Sequence, residues 1–364
     1  MLFPYTYVPH QLEKMQEFID FIFFEVWCKA PTTKSYSLDL FASKPQLWEV
    51  MRDFCFSDPQ PAGAKFFCEH IEQIYKLFST LSLGHITQFK YWYKCNNDLE
   101  KACANDSTIK VARYIEIQAI HPELGKLIAA FFRGLYDKSL LGLADLESKI
   151  GTMSQHSKAF FSVNKEGKCP FCGINDLKGI HHTRREAYDH YLPKFRYPFN
   201  SVNFHNLAPT CHECNSTYKL SKDPAYAPKI SKVASVRRKF FYPYTKKNQA
   251  IELQVILQSS DIDRLAPEDI SLQFGPQAIR EEIDTWREVY GIEERYKAKF
   301  CTENDGKYWL AQILDEWKED HRTPADFLNT LARQTTKSPY AECNFLKKAF
   351  LEACNQRGVF NALP

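Results

Sequence analysis

Glycine is scarce in this chain, 13 in 364 residues with none before Gly63, and no Gly/Ser linker divides the first 150 residues. Scarce glycine beside 28 Phe and 19 Tyr suits a helix-rich protein, and the length allows two or three domains with sizeable cores. The opening stretch MLFPYTYVPHQLEKM lacks a basic and then apolar segment, so no secretory signal is expected there. The most apolar early run, Phe18 to Trp27, is interrupted by Asp20 and Glu25 and falls far short of a membrane span. Ligand spacing is missing from eight of the 12 cysteines (Cys28, Cys55, Cys68, Cys95, Cys103, Cys301, Cys343 and Cys354). These are expected as small apolar core residues in a reducing compartment, not as a disulfide framework. The expectation is a soluble, cytoplasmic protein without a membrane partner.

Acidic residues are absent between Asp223 and Glu252, where Lys229, Lys232, Arg237, Arg238, Lys239, Lys246 and Lys247 supply seven positive charges. The formal net charge of +3 therefore hides a strong asymmetry. Residues 1–150 carry 16 Lys and Arg against 18 Asp and Glu, residues 151–250 carry 17 against 6, and residues 251–364 carry 14 against 20. Positive charge confined to the middle is what a polyanion-binding segment between two scaffold regions requires.

Three regions follow. From 1 to 155 the chain reads as a helical domain, with apolar stripes at three- and four-residue steps: Leu12, Met15, Ile19, Ile22 and Val26, then Phe67, Ile71, Ile74 and Phe78, then Leu124, Leu127, Ile128, Phe131 and Leu135. Residues 156–250 form a central module with a basic extension. Residues 251–364 are mainly helical, with one helix carrying Ile279, Ile283, Trp286 and Tyr290 on one face, and a second capped by Thr323 ahead of Pro324. Ser338-Pro339 is expected to open the last helix and Gly358 to end it. Two short strands, Phe240 to Tyr244 and Ile251 to Leu257, are expected as a hairpin.

The chemistry concentrates between Cys169 and Lys222. Two Cys-x-x-Cys pairs, Cys169/Cys172 and Cys211/Cys214, offer four thiolates, enough to close a tetrahedral structural zinc site. Between them lie Asp189-His190 and Asn206, and Asn215 follows the last cysteine directly. Hydrolysis of a phosphodiester needs an activated water, a cation at the leaving oxygen and positive groups on the phosphate. His190 is suited as general base, and Asp189 and Asn215 as oxygen ligands of a hard divalent ion such as Mg²⁺ or Mn²⁺. Asn206 is suited to bracing the histidine loop through its backbone. Lys194 and Lys219 are candidates for phosphate contact, as are Arg184 and Arg185, expected with His181 and His182 on the strand entering the site. Arg237, Arg238 and Lys239 are expected to follow a phosphate backbone.

In this order and spacing, the residues resemble the three motifs of the HNH, or ββα-metal, endonuclease family, including phage endonuclease VII and bacterial restriction and phage-defence nucleases. The resemblance covers about 55 residues. It implies a mainly α protein with a small central zinc-stapled ββα-metal module, DNA as substrate, metal binding by Asp189 and Asn215, water activation by His190 and orientation of the histidine loop by Asn206. It also implies antiviral defence, with a protein partner such as a defence-system ATPase or sensor. Ala187 stands where some relatives carry a further acid, which leaves two protein ligands for the metal. The alternative is a non-catalytic, zinc-stapled nucleic-acid adaptor.

Overall fold

A computed structural model describes residues 1–33, 35–228, 236–247 and 250–362. It is mainly helical, with two small antiparallel hairpins. Lys229 and Lys232 of the basic run lie outside the described residues.

Among the described residues, ten α-helices lead up to the strands of the central module: α1 Glu13–Phe21, α2 Pro45–Phe56, α3 Ala62–Phe78, α4 Leu83–Asn97, α5 Leu99–Cys103, α6 Tyr114–Ile120, α7 Pro122–Gly134, α8 Lys138–Leu141, α9 Ala144–Ile150 and α10 Met153–Val163. The stripe of α1 runs on through a looser turn to Val26, and Leu12, Met15, Ile19, Ile22 and Val26 are all buried. They meet Phe67, Ile71, Ile74 and Phe78 of α3 and Ile128 and Phe131 of α7 in one core. Trp27 seals it, stacked on Phe78 with its edge to Phe131. Helix starts follow capping chemistry: the His121 ring accepts from Leu124 N before Pro122, and Thr152 and Gln155 form a capping box at α10.

The central module pairs β1 (Ala187–His190) with β2 (Leu207–Thr210), and a short helical segment follows at Glu213–Lys219. It is wedged between two cores. Tyr188, Phe199, Phe204 and Leu207 belong to the N-terminal helical core. The four ligand-spaced cysteines, Phe171, Tyr191, Phe240 and Phe241 belong to a second core shared with the C-terminal helices.

That second core is built on β3 (Glu252–Leu257) and β4 (Ile270–Gly275), antiparallel with Leu257 opposite Ile270. Helices α11 Arg280–Tyr290, α12 Ile292–Cys301, α13 Tyr308–Asp320, α14 Pro324–Lys337 and α15 Asn344–Gln356 complete the chain. Thr323 caps α14 through its hydroxyl, as its place before Pro324 predicts. Gly291 turns α11 into α12 at φ +59°, and a Cβ there would lie 2.3 Å from the Tyr218 ring, so both conformation and space require glycine.

Two expectations are corrected. Phe240 to Tyr244 is not a strand: Phe240 and Phe241 are both buried although adjacent, which breaks the two-residue alternation, and Pro243 has no N–H for a ladder. Instead Phe240 N donates to Cys103 O, Tyr5 N donates to Pro243 O, and β3 finds its partner in β4. The last helix begins at Asn344, not at Ser338-Pro339, because Glu342 and Cys343 adopt φ +47° and +54° and interrupt it. Among the described residues, no helix is long and apolar enough to cross a membrane.

His156 of α10 ties the helical region to the module, its Nδ1 lying 2.7 Å from the Tyr188 hydroxyl of β1. Burial, with His10 nearby, pushes its pKa down to about 4. The folded ring is thus neutral where an unfolded one, titrating near 6.5, already binds a proton. This contribution to stability is complete above pH 6.5 and is lost as pH falls towards 4, at up to about 1.4 kcal/mol per pH unit. Urea denaturation of His156→Gln at pH 7, 6 and 5 is expected to show a shallower loss with acid than the parent, by roughly one proton. A parallel pair of curves would refute the assignment.

Candidate functional site

Cys169, Cys172, Cys211 and Cys214 converge with their sulfurs within 4.8 Å of one another, and all four are buried. The sequence builds each half locally. In the first knuckle Gly173 N donates to Cys169 O, and Gly173 itself has φ +69° with Leu2 and Phe345 so close that a Cβ would clash. In the second, Cys214 N points at Cys211 Sγ and Asn215 N donates to Cys211 O. Four buried thiols converging this closely can hold a metal ion such as zinc. Among the described residues, no other group of three or more His, Cys, Asp or Glu side chains is placed to do so.

The rest of the chain clasps this cluster. Leu2 N donates to Pro170 O, Trp286 Nε1 to Phe171 O and the Tyr296 hydroxyl to Cys172 O. Arg295, 9% exposed, places Nη1 3.1 Å from Cys214 Sγ and its guanidinium over the Tyr218 ring. A metal bearing four thiolates is a dianion, and a buried guanidinium offsets part of that charge.

The β1–β2 register separates the two residues of the Asp-His pair. Asp189 stands opposite Ala208 and His190 opposite Leu207, so successive side chains leave opposite faces of the hairpin. The Asp189 carboxylate points to the Glu213–Lys219 segment. His190 points to the N-terminal helical region, where the Tyr136 ring meets it edge-on at 4.7 Å.

Asp189 Oδ1 accepts from Lys219 Nζ at 2.8 Å, in an ion pair whose side chains are 4% and 1% exposed. Lys219 also donates to His190 O. Asp189 Oδ2 is buried and has no hydrogen-bond partner. Burial raises the carboxyl above the usual range, and Lys219 opposes that rise. The expectation that Lys219 meets phosphate is therefore corrected: its ammonium is enclosed and committed to Asp189.

His190 Nε2 lies 2.9 Å from Ser201 O, and since a carbonyl only accepts, Nε2 carries the proton and Nδ1 is left as the basic nitrogen. Burial first, then the neighbouring Lys194 charge, push its pKa down to about 3, so the ring is neutral at pH 7. Asn206 is fully buried and holds the chain just beyond the histidine: Oδ1 accepts from Leu192 N at 2.7 Å and Nδ2 donates to Leu192 O at 3.1 Å. Asn215 is half-buried one turn before Lys219 on the same segment, and its side chain makes no hydrogen bond among the described residues. Lys194 Nζ donates to Arg133 O and lies over the Tyr136 and Phe195 rings.

The remaining basic residues divide. His181, His182, Arg184 and Arg185 are exposed, but on a loop before β1 and not on a strand, because pairing with β2 begins only at Ala187. Arg237 and Arg238 are corrected as phosphate-facing residues. Arg237 donates to Ile109 O and Ala102 O, and Arg238 donates to Pro224 O and Asp223 O and pairs with Glu288. Both guanidiniums are taken up by carbonyls that link the basic run to its neighbours, whereas Lys239, Lys246 and Lys247 are exposed.

Tyr136 and Arg295 were not anticipated as part of the site. Arg295 carried a signal: it falls within the apolar stripe Ile292, Tyr296 and Phe300, where a charge requires a buried partner. Tyr136 lies just beyond α7 and carried none. No protein-family model, curated protein or solved structure matches the chain.

Proposed function

We propose that the chain is a metal-dependent HNH-type endonuclease that hydrolyses phosphodiester bonds in DNA, acting in phage defence or restriction, with a structural zinc in the four-cysteine cluster. The observation that carries this reading is the Asp189/His190 pair. They adjoin on β1, which pairs with the strand directly after Asn206, and the helical segment that follows carries Asn215. An antiparallel pair of strands followed by a helical segment, tied by four thiols, is the framework such a site needs.

Asp189 Oδ2, buried without a hydrogen-bond partner among the described residues, and the Asn215 amide oxygen are the atoms that would hold a divalent cation such as Mg²⁺ or Mn²⁺. When bound, such an ion supplies Lewis acidity at the leaving oxygen. His190 takes the proton of the attacking water at Nδ1 while Ser201 O holds the Nε2–H, fixing the tautomer. Water oxygen bonds to phosphorus as the bond to O3′ breaks, leaving a 5′-phosphate and a 3′-hydroxyl. Asn206 keeps the backbone after His190 from shifting, and Tyr136 limits the ring's rotation.

A specific observation favours a second reading. Lys219 already balances the Asp189 charge, as a non-catalytic, zinc-stapled DNA-binding adaptor would require. Incubation with supercoiled plasmid and Mg²⁺ or Mn²⁺ separates the two. His190→Ala is expected to lose cleavage by about 10²–10⁴-fold while keeping its zinc, the contribution typical of a positioned general base. Equal single-turnover rates for parent and variant would remove His190 as the base. A wild-type protein that binds DNA and cuts with neither ion would establish the adaptor.

A further inference from the structure

Two adjoining clefts lie between α10 and the loop that leads into β1. The first, about 600 Å³, is bounded by Ser154, Ser157 and Lys158 on one face of α10, and by His181, His182 and Arg184 on the loop opposite. The second, about 690 Å³, shares Ser154, Arg184 and Arg185 with the first and reaches Tyr136. Tyr136 is the residue whose ring packs against His190, so the second cleft comes within one aromatic ring of the proposed base.

The lining is cationic, with Arg185 partly engaged: its Nη1 donates to Glu186 O and its guanidinium lies over the Tyr188 ring. Lys158, Arg184 and Arg185 are exposed and form no ion pair among the described residues, and both histidines are exposed. Two acids border the second cleft. Glu186 is buried and committed to Lys178, accepting from its backbone N–H and facing its ammonium, while Glu147 lies on α9 away from the first cleft. Ser154, Ser157 and Lys158 recur at steps of three and four, so one helical face presents two hydroxyls and a charge together. Exposed Ile180 and the two imidazoles add flat and apolar surface among the charges.

We infer that this double cleft holds a single-stranded DNA segment flanking the scissile phosphate, its backbone on Lys158, Arg184 and Arg185 and its bases against His181, His182 and Ile180. The inference rests on the nuclease reading and adds the substrate form. Separated cations along a walled path suit successive phosphates, and histidine and apolar faces accept any unstacked base. Each cleft has the volume of a small-molecule pocket, the scale of a nucleotide or two and so of one strand.

Fluorescence anisotropy of the His190→Ala protein with a labelled 12-nucleotide strand, and with the same strand in a blunt duplex, tests this across a salt series. Adding Lys158→Ala and Arg184→Ala is expected to weaken single-strand binding by about tenfold and to flatten the salt slope by roughly 0.7 per lost contact, with little change for the duplex. Lys158→Arg with Arg184→Lys, which keeps both charges, is expected to retain affinity and slope. Unchanged single-strand binding, or equal losses on both DNA forms, would overturn the cleft, and so would tighter binding of an RNA strand of the same sequence. If the cleft fails while the wild type still cuts plasmid, the nuclease reading stands. If the protein neither binds DNA nor cuts it, both fall.

Discussion

The parent is expected to hold one zinc per chain, and Cys211→Ser is expected to abolish it and to destabilise far more than one module. Structural zinc supplies on the order of 10–16 kcal/mol of apparent binding free energy in zinc-finger peptides, and that free energy is folding free energy. Even a third of it exceeds the roughly 1 kcal/mol of an ordinary substitution. Here the loss spreads, because the cluster is where distant parts of the chain meet: Leu2 on Pro170, Trp286 on Phe171, Tyr296 on Cys172 and Arg295 on Cys214. Without the metal, Arg295 is a buried cation beside neutral thiols, and its counter-charge is gone. Elemental analysis with thermal and urea denaturation checks this, and Cys301→Ser, half-buried and outside the cluster, serves as the control. Full zinc content and an unchanged midpoint in Cys211→Ser would refute a structural metal at these thiols.

How much was legible follows from how local each signal is. The four-cysteine cluster is readable because Cys-x-x-Cys geometry is set within one turn of chain, so spacing alone specifies two sulfurs per knuckle. The helical stripes are readable for the same reason: Met15 and Ile19, or Phe67 and Ile71, face one side by backbone period. The basic run misleads because charge in a sequence does not say where a charge goes. Arg237 and Arg238 satisfy carbonyls of residues 102, 109, 223 and 224, contacts that exist only after folding. Phe240 to Tyr244 reads as a strand on composition, yet both adjacent phenylalanines are buried and the backbone bonds go to Cys103 and Tyr5, in two separate parts of the chain. Asp189 reads as an open ligand because nothing in the sequence shows that Lys219, 30 residues on, reaches its Oδ1.

Lys219→Met is the change that most directly tests what Asp189 is for. Removing one partner of a buried ion pair leaves the other charge without compensation, at a cost of about 3–5 kcal/mol. The Asp189 carboxyl is already raised above its ordinary range by burial, and Lys219 is the charge that opposes this. Loss of the ammonium is therefore expected to raise it further and to destabilise the chain most at high pH, where the carboxylate is forced to ionise. A divalent cation at Asp189 supplies the missing charge. In Lys219→Met, millimolar Mn²⁺ is accordingly expected to restore part of the lost stability, up to about 2.7 kcal/mol at a hundredfold excess over the dissociation constant. In the parent, where Lys219 holds Oδ1 and only Oδ2 is free, the same ion is expected to stabilise less. Asp189→Asn placed on Lys219→Met removes the buried charge, so it is expected to recover stability and to lose the response to Mn²⁺. Urea denaturation of the parent, both variants and the Asp189→Asn single variant, with and without Mn²⁺, completes the cycle. A Lys219→Met protein indifferent to divalent ions would remove Asp189 as a metal ligand and leave the pair a purely structural link between β1 and the segment that carries Cys214.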